Sequence, residues 1–250
     1  MTIERVKNAL CVPANMVGHP MTMWPTFLLD RTIADSPVPD PTNLQILPYV
    51  TILRAGDPDH SEATDNTYVL SYVRGKAGAE DRLHDLKSIG FGGHIEEEVT
   101  SSIVNLIVDE TTRELVEELG YSPSPKLLHK AVLHSYRESR MIYLPETPVG
   151  SVHLGISVLL NYSEETNKPA SFVGEHGQIE GLEWVCLDTM SKEEAELYEP
   201  WSLYLIQMFM YGMHEAKQRM LQELAERAKG MEGNVDPAVE ASQNPTIATT

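Results

Sequence analysis

The sequence predicts an α/β layered domain built around a mixed sheet. Apolar runs of strand length lie on both sides of one amphipathic helical segment, and further helical segments follow the last run. The connections between the runs are mostly short, which favours a sheet with both parallel and antiparallel pairs. With 250 residues, the chain can form one substantial core or two small ones.

The two ends of the chain differ from its middle. Residues 1–43 are rich in Pro and Met and show little periodicity, so we expect an irregular N-terminal extension packed on the core. Residues 44–229 contain the periodic segments and are predicted to form the main domain. Residues 230–250 have few large apolar side chains, which predicts a disordered tail.

Five segments are predicted as strands from their apolar runs or alternation. The first two should pair as a hairpin, and a proline at position 48 interrupts the first. The five segments are residues 44–54, 67–75, 126–138, 149–163 and 182–188.

Two regions are predicted as helices. Residues 100–119 have helical periodicity, with Thr or Ser available to cap the start and Gly120 suited to end it. Residues 191–229 are predicted to be helical in two parts, broken near Pro200. The apolar, Met-rich part after Pro200 has two interpretations: a terminal helix packed on the sheet, or the interface of a homodimer.

Composition limits the classes of partner and compartment. A formal net charge of −18 disfavours binding to a nucleic acid polymer, and an anionic substrate would need a bridging cation. Cys11 and Cys186 are too few for a disulfide framework and are expected to be reduced thiols. No apolar run approaches the roughly 20 residues of a membrane span, and no signal-peptide pattern opens the chain, so we expect a cytoplasmic protein without a membrane partner.

The predicted helix over 100–119 has a cluster of acidic residues. Glu110, Glu114, Glu117 and Glu118 are spaced to share one face, where like charges at i,i+4 cost about 0.2–0.5 kcal/mol per pair. Most Glu-rich helix faces are simply solvated. Here the segment GFGG, residues 90–93, precedes the helix and offers backbone carbonyls beside the carboxylates, which favours a Mg²⁺ or Mn²⁺ site.

The segment RELVEELGY, residues 113–121, resembles the second half of the Nudix box, G-x5-E-x7-R-E-U-x-E-E-x-G-U, where U is a bulky apolar residue. GFGGHIE, residues 90–96, looks like the glycine loop that opens the box. The segments SIGFGGHI, VGSVHLGI and YEPWS are similar to parts of a Nudix branch of predicted phosphoesterases. This resemblance covers about residues 44–210 and implies a Nudix-type α/β/α sandwich, with the N-terminal segment and the C-terminal helices as additions.

The first half of the box departs from the pattern. Its isolated Glu should fall at Asn105 and its opening Gly at Val99, whereas the glycine pair ends at Gly93, six residues earlier. The chain therefore has a six-residue insertion between loop and helix. The missing carboxylate is either supplied by residue 96, 97 or 98, all of which are Glu, or absent.

The resemblance implies hydrolysis of a nucleoside diphosphate linked to another group, with Mg²⁺ or Mn²⁺ as cofactor. The metal ligands implied are Glu114, Glu117, Glu118 and the Gly93 carbonyl. Arg113 would orient Glu114, and the loop residues Gly92 and Gly93 would contact the substrate. His94 follows the glycine pair, and it could either contact a phosphate of the substrate or cap the loop.

The general base stays open between a box glutamate and a carboxylate from the segment GEHGQIEG, residues 174–181. Within that segment Glu175 is favoured over Glu180, and His176 is a weaker candidate. His153 lies in an apolar strand, which predicts a packed, hydrogen-bonded core residue.

The sequence is also compatible with two functions other than hydrolysis. A non-catalytic Nudix-fold module could bind a nucleotide or ADP-ribose and regulate a partner, and other chemistry such as isomerisation occurs when one fold serves several reactions. The intact R-E-U-x-E-E-x-G half favours catalysis. The chain has no H-E-x-x-H, paired C-x-x-C or G-x-x-x-x-G-K-[ST] motif, which disfavours a zinc site and a P-loop.

Overall fold

The computed structural model describes residues 8–30, 42–56, 66–76, 83–96, 102–147, 149–165, 168–169 and 171–212. One compact unit runs from Met1 to Ile206, and the functional cavity lies within it. The segment expected to be a disordered tail, residues 230–250, lies outside the described residues. The domain boundaries proposed from the sequence therefore stay predictions.

Eight strands form one sheet, with four helices and three short 3₁₀ turns around it. The count covers the described residues only. Helix α4 begins at residue 200 and is described to residue 212. The other elements are β1 (Asn8–Pro13), β2 (Phe27–Asp30), β3 (Asn43–Ala55), β4 (Thr67–Arg74), β5 (Lys87–Ser88), α1 (Ile103–Leu119), α2 (Pro125–Arg137), β6 (Met141–Ile142), β7 (His153–Asn161), β8 (Ile179–Cys186) and α3 (Lys192–Ala195).

Strand β3 is the centre of the sheet, and its two edges are used differently. One edge pairs in parallel with β7 over nine consecutive positions, from Gln45 to Leu53. The other edge pairs antiparallel with β1 near its start and with β4 only over Leu53–Ala55. Between these two ladders, Phe91 forms an isolated bridge to Val50, so the glycine loop is inserted along the open part of this edge.

Both faces of the sheet are covered. Alternate residues on β3 and β7, such as Val50 and Ile156, belong to the same core cluster as Leu115 of α1 and Val132 of α2. On the opposite face, Trp201 of α4 packs edge-on against Tyr49 and lies where a side chain at Gly155 would project. The predicted mixed-sheet α/β/α sandwich is thus confirmed.

Two sequence expectations were wrong. Residues 126–138, predicted as a strand, form α2, which has Ser124 at its N-cap position and Pro125 in its first turn. Its buried residues include Leu128, Val132 and Ser135, which are spaced as on one face of a helix. The neighbouring apolar residues made this helical spacing hard to recognise in the sequence. The N-terminal segment, expected to be irregular, contributes β1 and β2 to the sheet.

Helix α1 ends as its sequence predicts. Gly120 has φ 59°, a left-handed conformation that suits glycine, and its N–H donates to the Val116 carbonyl. At the other end Ser102 occupies the N-cap position, although its side chain makes no capping hydrogen bond. Ser102 is therefore at the expected cap position, but it does not make the expected capping hydrogen bond.

We expect Leu115→Ala to lower the free energy of unfolding by about 2–5 kcal/mol, because Leu115 is fully buried between α1 and the sheet. The matched control is the adjacent Val116→Ala, since Val116 is 45% exposed and should lose less than about 0.5 kcal/mol. Urea unfolding followed by circular dichroism measures both. Equal losses would mean that α1 does not pack in this orientation.

Candidate active site

A cavity of about 580 Å³ opens beside the N-terminal half of α4 and the acidic face of α1. It is lined by β3, the end of β4, the glycine loop, α1, the start of β7 and the loop before β8. The charged residues that line it are Arg74, Glu114, Glu117, Glu118, Glu175 and Glu199. All the predicted site residues except Arg113 are among those that line it.

The glycine loop lies directly against α1. The Gly92 N–H donates to Oε2 of Glu118 at 3.0 Å. A Cβ atom at Gly93 would lie 2.2 Å from Oε1 of Glu114, so the space a side chain would fill is occupied by that carboxylate. Gly92 itself has φ 149°, and a Cβ there would lie 2.0 Å from the Pro48 carbonyl oxygen. The close approach to the Pro48 backbone requires glycine at position 92, whereas a side chain at position 93 would displace the Glu114 carboxylate.

The two enclosed carboxylates disfavour each other's charge. Burial raises the pKa of Glu118 to about 8, and the charge of Glu114 adds to the rise, while Arg74 and the Gly92 N–H oppose it. Burial raises the pKa of Glu114 to about 7 against the positive charge of Arg113. Carboxyl groups in such surroundings are stabilised as anions by a cation placed between them.

Arg113 holds the acidic face together from the outside. Its guanidinium donates to Glu110 and Glu114, and its Nη1 donates to Oε2 of Glu117 at 2.6 Å. The Glu110 and Glu114 side chains are only 10% and 12% exposed, whereas Glu117 is 54% exposed. Arg113 thus contacts Glu114, as predicted, and it also binds two further carboxylates.

The box glutamates are close to one another but are not gathered as a ready-made ligand set. Among the described residues, no three His, Cys, Asp or Glu side chains are placed to hold a metal ion together. Glu114 and Glu118 lie beside the glycine pair, while Glu117 is turned towards Arg113. All three carboxylates therefore lie at the cavity, as expected, but their side chains do not point towards one common position.

The loop with Glu175 is tied to the end of α1. The backbone N–H groups of Val173 and Glu175 donate to the carbonyls of Leu119 and Glu118 at 3.1 and 2.9 Å. The Glu175 carboxylate accepts a hydrogen bond from the side-chain amide of Gln178, and both residues line the cavity. Glu180 is exposed and is not among the lining residues, so the cavity distinguishes it from Glu175.

Two histidines meet at the cavity wall. Nε2 of His94 lies 3.3 Å from Nε2 of His153. Nδ1 of His153 lies 2.7 Å from the Val149 carbonyl oxygen, which can only accept, so this nitrogen is the donor. His153 is buried and hydrogen-bonded, as the sequence predicts, and it also lines the cavity together with His94.

A buried carboxylate fixes the start of α4 at the cavity floor. Glu199, which is 4% exposed, accepts from the backbone N–H groups of Trp201 and Ser202 and from the Tyr49 hydroxyl. Burial and the charge of Glu199 raise the pKa of Tyr49, so this phenol stays a donor. The network positions Trp201 and Tyr49 as an apolar wall of the cavity.

The inserted segment contributes nothing that is described in the cavity. Glu96 is exposed and is not a lining residue, Asn105 is exposed on α1, and residues 97–101 lie outside the described residues. Sequence reasoning missed Arg74 and the role of Glu199. Glu199 lies in YEPWS, a segment that the sequence did single out, whereas Arg74 ends an ordinary strand and had no local signal.

Two further expectations can be compared with the described residues. Neither Cys11 nor Cys186 forms a disulfide there. No helix in the described part of the chain is long and apolar enough to cross a membrane.

Comparisons with known proteins agree with the fold. No family model matches the chain. It is 31% identical over 171 residues to protein YmaB of Bacillus subtilis, covering 67% of this chain and 71% of that protein. The crystal structure of Tm1382, described as a candidate Nudix hydrolase, aligns over 82% of this chain and 99% of its own with a TM-score of 0.54 at 19% identity. A bifunctional NMN adenylyltransferase/ADP ribose pyrophosphatase from Francisella tularensis, complexed with AMP and a Mn ion, aligns at a TM-score of 0.40 and 15% identity, covering 66% of this chain and 42% of its own.

The fold is that of a Nudix hydrolase structure, as the alignment with Tm1382 shows. The chain belongs to one family with protein YmaB of Bacillus subtilis.

We expect Gly92→Ala to destabilise the protein markedly, because strain at φ 149° costs about 1–3 kcal/mol and the overlap with the Pro48 carbonyl costs a further 1–3 kcal/mol, roughly. The control is Gly18→Ala, where φ is 88° and a Cβ would meet nothing within 4 Å. Thermal unfolding compares the two variants. A loss at position 92 no larger than that at position 18 would show that the loop does not lie against β3 as described.

Proposed function

We propose that this protein hydrolyses a diphosphate linkage in a nucleotide-like substrate with the help of Mg²⁺ or Mn²⁺. The observation that carries the proposal is that the glycine pair and the three glutamates of the Nudix box line one cavity large enough for a small molecule. The nucleotide-like class of the substrate, the requirement for a metal ion, a cytoplasmic location and a homodimer are part of the proposal.

The chemistry of the side chains fits a hard divalent cation. The residues proposed to hold it are Glu114, Glu117 and Glu118 with the Gly93 carbonyl, an all-oxygen set of the kind that Mg²⁺ and Mn²⁺ prefer. The raised pKa values of Glu114 and Glu118 support this, because a cation bound beside two buried carboxyl groups would stabilise both as anions. Glu117 would have to leave its contact with Arg113 in order to serve as a third ligand.

Each side chain then has a distinct task. A divalent ion, when bound, supplies electrostatic stabilisation to the phosphoryl oxygens. Arg113 keeps Glu114 and Glu110 oriented from outside the cavity. Glu175 accepts a proton from the attacking water, whose oxygen bonds to phosphorus while the bridging P–O bond breaks to leave two monophosphates.

A second candidate is a Nudix-fold module that binds a nucleotide or ADP-ribose without hydrolysing it. The contact between Glu117 and Arg113 and the absence of a preformed metal cluster among the described residues favour it. Tight binding of a nucleotide diphosphate in Mg²⁺ with no formation of monophosphate products, from a panel that includes ADP-ribose, would support this alternative over hydrolysis.

We expect Glu118→Gln to lower turnover of the best substrate by more than about 100-fold, because loss of a metal ligand costs more than the 10–100-fold typical of its outer partners. Glu193→Gln is the matched control, since Glu193 is an exposed residue of α3. Chromatographic detection of the monophosphate products with Mg²⁺, over a nucleotide and dinucleotide panel, is the measurement. Equal activity of Glu118→Gln and wild type would remove the hydrolase proposal.

The proposed general base has its own test. We expect Glu175→Gln to lower kcat by about 10²–10⁴-fold with little change in KM, because only proton transfer is lost. Glu180→Gln removes a carboxylate from the same part of the chain outside the cavity and should leave kcat unchanged. If both variants keep wild-type kcat, the base is one of the box glutamates.

A further inference from the structure

Arg74 occupies an unusual place in the cavity. It is the last residue of β4 and the one Lys or Arg among the described residues that line the cavity. Its Nη1 donates to the Tyr72 hydroxyl at 3.3 Å, and no described carboxylate forms an ion pair with it. A guanidinium has five N–H donors, so most of its hydrogen-bonding capacity is unused by the described residues.

The lack of an ion pair is notable because carboxylates are near. The positive charge of Arg74 is close enough to Glu118 to oppose the rise in its pKa, yet the two side chains are not hydrogen-bonded. Glu118 instead accepts from the Gly92 N–H, and Glu199 is occupied by α4 and Tyr49. Glu118 and Glu199 therefore hydrogen-bond to other groups, and the Arg74 guanidinium is available to bind a ligand.

The backbone around Arg74 is held firmly. The Arg74 N–H donates to the Leu86 carbonyl at 2.9 Å, and its carbonyl accepts from the Asp85 N–H at 3.0 Å. The next residue, Gly75, donates to the Gln178 carbonyl at 2.7 Å and leaves no room for a side chain, since a Cβ would lie 2.2 Å from the Gly177 carbonyl oxygen. Arg74 is thus fixed beside the loop that contains Glu175.

We propose that Arg74 binds a phosphoryl group of the substrate through paired N–H···O hydrogen bonds, forming an anion subsite next to the carboxylates. A planar guanidinium matches two phosphoryl oxygens, and this match is lost with lysine. The inference rests on the proposed function in one respect, namely that the cavity is the substrate site. It adds that the ligand must present a second anionic group beyond the one facing the acidic helix.

The test is binding of methylenediphosphonate, a diphosphate analogue with a carbon bridge that water attack cannot cleave. Calorimetry in Mg²⁺ compares wild type with Arg74→Gln, Arg74→Lys and the control Arg54→Gln. Arg54 lies in a separate depression beside Tyr162 and Trp184, so its replacement removes the same charge elsewhere. We expect Arg74→Gln to weaken binding about 10–100-fold, Arg74→Lys less, and Arg54→Gln less than about twofold.

The outcomes separate this inference from the proposed function. Binding by Arg74→Gln within twofold of wild type, an equal loss in Arg54→Gln, or no binding by wild type overturns the Arg74 subsite, whatever the hydrolysis assay shows. Arg74-dependent binding in a protein that hydrolyses no diphosphate supports the subsite and removes the hydrolase. If thermal unfolding shows that Arg74→Gln does not fold, Arg74→Lys decides: wild-type affinity in that variant overturns the paired contact.

Discussion

The close approach of two consecutive glycines to helix α1 is the constraint on which the site depends. Gly92 fixes Glu118 through its N–H, and Gly93 leaves the space that the Glu114 carboxylate fills. Burial raises the pKa of both carboxyl groups, so both are anions at neutral pH only when a positive charge stabilises them. The loop and the helix together make a place that favours a cation, and neither does so alone.

Sheet topology supplies the room for that arrangement. Strands β3 and β4 share only a short ladder, and Phe91 bridges to β3 where β4 has departed. The glycine loop therefore enters at the centre of the sheet and not at its rim. The cavity opens in the same gap, with the C-terminal end of β4 on one side and α1 on the other, and this explains how an ordinary strand end places Arg74 among glutamates.

Sequence reasoning found what is local and missed what is assembled from a distance. Each of three features can be predicted from a short sequence pattern: the hairpin strands, the end of α1 at Gly120, and the pairing of the glycine loop with the glutamates. Helix α2 was missed because Leu127 and Leu128 suggest a strand until the spacing to Val132 and Ser135 is counted. Arg74 and Glu199 could not be assigned, because the partners that place them in the site, Glu118 for Arg74 and Tyr49 for Glu199, come from distant parts of the chain. The orientation of Glu117 towards Arg113 is likewise a choice between competing partners that spacing cannot decide.

The hydrogen bonds from Val173 and Glu175 to the last turn of α1 have a mechanical consequence. If the loop moved away as a rigid flap, the two carbonyls at the end of α1 would lose their hydrogen-bond donors and the last turn of the helix would fray. Opening of the loop and unwinding of the C-terminal turn of α1 are therefore coupled. If Glu175 is the general base, as proposed, it reaches the attacking water by a change of rotamer while its main chain stays in place.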